Sequence, residues 1–156
     1  MNKAEKIILS GIMGTNCMTM FSYIVSALSK KNFSEPEHLS TLINRAPGSS
    51  KKTNRIAGWS AHYAVRVLFA AVYVELWQTG QIKHTLKNGI IMGALSGILA
   101  VMVWKATFKM HPLPPWIDFT NYYIQLVPAH IVFAVFSTIT YSLIKTQEEA
   151  YEEPKN

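Results

Sequence analysis

The chain has 156 residues, about one domain's length, with 49% hydrophobic residues and a formal net charge of +6. Its basic residues stand at the edges of apolar blocks, at Lys30, Lys31, Lys51, Lys52, Arg55, Lys87, Lys105 and Lys145; that placement suits lipid head groups, and the absence of a basic face interleaved with stacking aromatics argues against nucleic acid as a partner. One cysteine, Cys17, excludes an internal disulfide and any cysteine-based metal motif, and reads as a small packing residue.

The first apolar block covers residues 7–28, after Lys3 and Lys6, and is long enough to cross a hydrocarbon core of about 30 Å. Its length, and Thr15, Asn16 and Thr19 in its middle, favour a span over a signal peptide cleaved near Val25 and Ala27. In the following linker Ser34 and Glu37 have capping-box spacing, with Pro36 in the first turn. Leu39, Leu42, Ile43 and Ala46 then recur at helical spacing before Pro47 and Gly48, which predicts an amphipathic helix over residues 35–46 lying on the membrane surface.

The second block, residues 57–77, contains His62, Arg66 and Glu75. The third, residues 88–104, is short, free of internal charge and rich in glycine. A linker holding Pro112, Pro114 and Pro115 should be stiff and extended. The fourth block, residues 122–144, carries Pro128 and His130, and the acidic residues over 148–156 read as a flexible tail. Trp59, Trp77, Trp104 and Trp116 fall near block ends, where an interfacial aromatic belt would put them. The expected fold is therefore all-α: a polytopic membrane protein with one four-helix transmembrane domain over residues 1–147. Lys30, Lys31, Arg45, Lys51, Lys52, Arg55, Lys105 and Lys109 flank one side, against Lys3, Lys6, Lys83, Lys87, Lys145 and Lys155 on the other. That balance leaves orientation open.

Gly89, Gly93 and Gly97 recur every four residues, with Ser96 and Ala100 on the same side. The first block has a matching stripe of Gly11, Thr15, Thr19, Ser22 and Ser26. Small residues let backbones approach, so both stripes are expected to pack helices, with homodimerisation through the glycines as the alternative.

Charge in hydrocarbon costs roughly 2.5–3.5 kcal/mol even on lenient insertion scales, so Arg66 is a functional candidate. His62 lies one turn before it, and Phe69 and Tyr73 continue that face. Glu75 points the opposite way near the end of the block and reads as interfacial. His130 shares a face with Tyr123, Ala134, Ser137 and Tyr141, and the second and fourth blocks should run parallel, which puts His62 and His130 at similar depth. The candidate ligand-binding set is thus His62, Arg66, His130, Tyr73 and Tyr141.

Three readings compete for this cluster. The first is structural, with hydrogen bonds to Thr19, Tyr23 or Ser137. The second is an anion or lipid site, because no other span offers a carboxylate at the depth of Arg66. The third is a b-type haem or a metal held by His62 and His130. No Gly-x-Ser-x-Gly, His-Glu-x-x-His or Walker-type motif is present, so no catalytic residue is assigned. The leading expectation is a non-enzymatic, cofactor-free component binding lipid or a small anion, with a redox subunit or an oligomeric transporter as alternatives.

Gly11-Ile12-Met13-Gly14-Thr15 followed by Met18-Thr19, the Gly58-Trp59 and His62-Tyr63 pairs, and Ala129-His130 resemble uncharacterised small bacterial four-span membrane proteins. The resemblance implies a multi-pass protein of the bacterial inner membrane. It implies no activity. Separately, membrane lipids are the expected partners, with a homodimer or a place in a membrane complex as further expectations.

Overall fold

The computed structural model describes residues 1–44 and 50–152. Five α-helices follow one another: α1 (Lys3–Ser29), α2 (Glu35–Asn44), α3 (Lys51–Gln78), α4 (Leu86–Met110) and α5 (Phe119–Glu152). No strand occurs among the described residues.

Every long helix outruns the apolar block that announced it, because helices start at caps and not where the chain turns apolar. Asn2 and Glu5 form a reciprocal capping box that starts α1. Ser50 and Thr85 accept from Thr53 N and Asn88 N at 3.2 and 3.3 Å and so start α3 and α4. Asp118 accepts from Asn121 N at 3.1 Å at the head of α5. Pro128 is tolerated inside α5, which continues to Glu152. The start of the acidic tail is therefore helical and anchored, since Glu148 takes Lys6 Nζ at 2.6 Å and the N-terminal ammonium at 2.7 Å, while residues 153–156 lie outside the described residues.

The linker helix also departs from expectation. Ser34 and Glu37 do not form a capping box: Ser34 Oγ is buried without a partner, while Glu37 accepts from Tyr23 Oη at 3.3 Å and Asn32 Nδ2 at 2.8 Å. Nor does α2 rest on a flat surface by an apolar face alone. Glu35, Pro36, His38 and Leu42 are all buried, and the helix lies against α3. Gly58 makes this approach, since a Cβ there would meet Ser40 N at 2.5 Å and the Pro36 carbonyl at 2.8 Å. Ala46, Pro47 and Gly48, assigned to the end of this helix and its stop, lie outside the described residues.

Close helix packing pairs α4 with α5, α5 with α1, α1 with α3, and α3 with α2. Lys3 pairs with Glu75 and Lys6 with Glu148, so the C-terminal ends of α3 and α5 meet the N-terminal end of α1. The two helices therefore run parallel, as their blocks implied. The glycine stripe of α4 lies against α5: Cβ atoms at Gly93 and Gly97 would meet Ile131 Cα at 2.5 Å and Val127 Cα at 2.7 Å. It is used within the chain. Gly11 faces α3 and Gly14 faces α5, so α1 also packs through its small residues. Thr15 bonds back to the Gly11 carbonyl at 2.6 Å, satisfying its hydroxyl inside the seam.

Between α3 and α4 no such stripe exists. Their contact is made by long side chains, as where Tyr73 Oη donates to Ser96 Oγ at 2.8 Å. That seam is the one that stays open.

Three helices are long and apolar enough to cross a membrane: Lys3–Ser29, Leu86–Met110 and Phe119–Tyr151, with mean hydropathies of 1.3, 1.8 and 1.7. The expectation of four is corrected, because α3 does not qualify among the described residues. Lys51, Lys52, Arg55, His62, Arg66 and Glu75 dilute its apolar character. The outer surface is nevertheless apolar, with Ile12, Met20, Ile24, Leu95, Ile98, Met102 and Ile124 all at least 37% exposed. A soluble monomer rarely shows so continuous an apolar exterior. The tryptophan belt is corrected as well: Trp77 and Trp104 are 5% and 7% exposed and belong to the core, and only Trp116 is fully exposed.

Candidate functional site

Arg66 sits on the buried face of α3 at 3% exposure, and Glu35, at the head of α2, reaches it at 4%. Arg66 Nη2 donates to Glu35 Oε2, and Arg66 Nη1 donates to His130 Nε2. His130 Nδ1 is 2.7 Å from the Leu126 carbonyl oxygen, to which it donates. That pattern requires the neutral tautomer with its proton on Nδ1. Trp104 Nε1 donates to Glu35 Oε2 at 3.3 Å, and the Phe69 and Phe133 rings each lie 5.8 Å from the guanidinium carbon. Four helices thus meet on one ion pair.

The anion reading assumed that Arg66 has no protein carboxylate within reach. Glu35 corrects this, arriving from the linker helix and not from another span. Burying both charges is tolerable because each compensates the other, although Arg66 Nε and Glu35 Oε1 are left without a partner.

His62, one turn earlier on α3, lies 3.3 Å from Thr19 Oγ1 of α1. Tyr23 and Ser137, offered as alternative partners, are engaged elsewhere, with Glu37 and with the Ser10 carbonyl. Tyr73 and Tyr141 do not join the cluster. Tyr73 bridges to Ser96, and Tyr141 packs at a tilt on Trp77 at 4.8 Å, with His84 also against it. Of the five candidate residues, the structure brings together Arg66 and His130, with His62 beside them.

A cavity of about 170 Å³ adjoins the pair, between α2, α3 and α4. Glu35, His62, Arg66, Trp104 and Thr107 bring polar groups to it, and Leu39, Val65, Leu99 and Val103 line its apolar part. Val65, Leu99 and Val103 are 45%, 46% and 55% exposed, so the cavity opens onto the apolar exterior.

A haem or metal held by His62 and His130 does not fit this arrangement. Both ring nitrogens of His130 already serve protein partners, and His130 does not line the cavity. Among the described residues no three metal-ligating side chains gather at one point.

His38, on the buried face of α2, packs edge-on against Tyr122 at 4.9 Å and places Nε2 3.1 Å from the Asn32 carbonyl. Burial pushes its pKa below the usual value, against a smaller upward pull from Asn32 and Glu37. The imidazole is therefore neutral when α2 is docked. A depressed histidine pKa makes stability fall as pH drops below the unfolded value of about 6.5. The loss at this residue should therefore grow as pH falls from about 7.5 to about 5.5. Thermal melts in detergent at both pH values check it: His38→Phe should lose that part of the pH dependence, and an unchanged slope would refute the assignment.

The chain is thus an all-helical membrane protein with a buried, compensated ion pair beside a laterally open cavity. No family model, no curated protein and no solved structure matches it.

Proposed function

We propose that this protein is a four-span membrane component that draws an amphiphile from the bilayer into the cavity between α2, α3 and α4. The reading needs α3 to cross the membrane with the other three long helices. Its mean hydropathy argues against that, but the average mixes two faces. His62 and Arg66 are buried, whereas Ile56, Val65, Leu68 and Val72 form the exposed face. From Ile56 to Val74 no charged side chain faces outward. These residues extend about 28 Å at 1.5 Å per residue, close to the hydrocarbon thickness. An average over the whole helix undervalues a span whose polar residues point inward.

The observation that carries the reading is the shape and polarity of the cavity. It has polar groups at its inner end and a mouth formed by the exposed apolar side chains of Val65, Leu99 and Val103. A volume of about 170 Å³ suits a head group and the first methylenes, with the rest of the chain lying along α3 and α4. A water-soluble ligand would gain nothing from an apolar lateral entrance. Lipids are accordingly the proposed partners, and no chemistry on them is assigned.

Leu99→Trp tests this by filling the mouth while leaving the ion pair intact. Native mass spectrometry of protein extracted without added detergent should find one bound amphiphile per wild-type chain and at least about tenfold less on the variant. Equal occupancy of the two would refute the reading.

A further inference from the structure

Glu35 and Arg66 cancel one another's charge, yet each keeps one polar atom without a partner. On Glu35 it is the acceptor Oε1, and on Arg66 the donor Nε. Both side chains line the cavity between α2, α3 and α4. The Nη2–Oε2 bond anchors the two groups side by side. The open atoms are the neighbours of that bond, one across the carboxylate carbon and one across the guanidinium carbon. A single oxygen placed between them closes a ring, accepting from Nε–H and donating to Oε1. A hydroxyl carries one donor and two lone pairs and can do both.

Charge narrows the class further. The pair is already neutral, so a carboxylate or phosphate head would bring an unmatched negative charge into a buried site, and an ammonium an unmatched positive one. An ether, ester or ketone accepts from Arg66 and leaves Glu35 Oε1 bare. A hydrocarbon leaves both atoms bare.

We propose, on the basis of the amphiphile reading, that the cavity selects an uncharged, hydroxyl-bearing head, held between Glu35 Oε1 and Arg66 Nε. Long-chain alcohols and the free glycerol hydroxyls of monoacylglycerols share this chemistry. This reverses the first expectation for Arg66: the arginine recognises an oxygen lone pair, with its charge already matched.

Bromine quenches tryptophan on contact, and Trp104 lines the cavity. A variant with Trp59, Trp77 and Trp116 replaced by Phe leaves Trp104 as the only tryptophan, read by excitation where tyrosine does not absorb. In nanodiscs at alkaline pH it would be titrated with three probes sharing one brominated stearyl chain: the alcohol, its methyl ether and the carboxylic acid. Displacement of the alcohol from wild-type protein by the unbrominated compounds, read by native mass spectrometry, repeats the ranking without the substitutions. The alcohol should bind at least about tenfold tighter than either competitor. Equal affinity for alcohol and ether would overturn the proposal and match two atoms satisfied by water. Tighter binding of the acid would also overturn it and restore the anion site. In both cases quenching still occurs, so the cavity reading stands. If no probe quenches Trp104 and none binds wild-type protein, the amphiphile reading itself fails.

Discussion

Arg66→Ala is expected to destabilise the folded protein by about 3–5 kcal/mol, as much as any single change at the site should cost. The reason is what remains behind. Glu35 is 4% exposed, and without the guanidinium its carboxylate would be buried with only the Trp104 indole as donor. His130 would lose the donor to Nε2, and Phe69 and Phe133 the cation between them. Glu35→Leu leaves the opposite charge unmatched and should cost a similar amount. The double variant Arg66→Met with Glu35→Leu should recover most of the loss, because exchanging a buried pair for apolar groups of similar size is often neutral. Equilibrium unfolding of wild type, Arg66→Met, Glu35→Leu and the double variant in mixed micelles gives the coupling energy directly. If the single variants lose less than about 1 kcal/mol and the effects simply add, the pair is hydrated and the site is not built as described.

How much of this could be read before the structure depends on which residue is asked about. Helical class, the parallel course of α3 and α5 and the burial of Arg66 and His130 all followed from apolar blocks and from the cost of charge in hydrocarbon. These are long-range patterns, and a single residue does not upset them. Glu35 was missed for a local reason. The Ser34–Glu37 spacing drew attention to Glu37, and a carboxylate in the first turn of a helix ordinarily needs no explanation. Yet Glu35, His38, Leu39 and Leu42 recur at i, i+3, i+4 and i+7, a face that mixes one acid with apolar and aromatic groups. An acid on an otherwise apolar face asks for a buried cation, and Arg66 was the unmatched one in sight. Tyr73 and Tyr141 erred the other way. Sharing a helical face with Arg66 or His130 places a residue in the core, but about two turns separate Tyr73 from Arg66 and about three separate Tyr141 from His130, which gives each different neighbours. Only three of the four expected spans are apolar enough by composition, and α3 falls short because a hydropathy window cannot tell an inward arginine from an outward one.

Gly93→Val should separate α4 from α5 and destabilise the protein by about 2–3 kcal/mol, at the upper end of what overpacking usually costs. A Cβ at this position would lie 2.5 Å from Ile131 Cα and 2.8 Å from the His130 carbonyl oxygen. Those are backbone atoms of the facing helix, so no rotamer change relieves the clash and the helices must move apart. The movement falls at His130, so the Arg66–His130 bond should be disturbed together with the fold, and any amphiphile in the adjoining cavity should be held less tightly. Leu95→Ala, on the exposed face of the same helix at 63% exposure, touches nothing inside and should stay within about 0.5 kcal/mol of wild type. Unfolding midpoints in detergent compare the two. Chemical cross-linking on the same samples separates the intramolecular seam from the dimer that glycine spacing alone also allowed. A Gly93→Val protein that keeps its stability but loses a cross-linked dimer would place the stripe on the outside, against a second copy. Loss of stability with no change in oligomeric state is the result that packing against Ile131 requires.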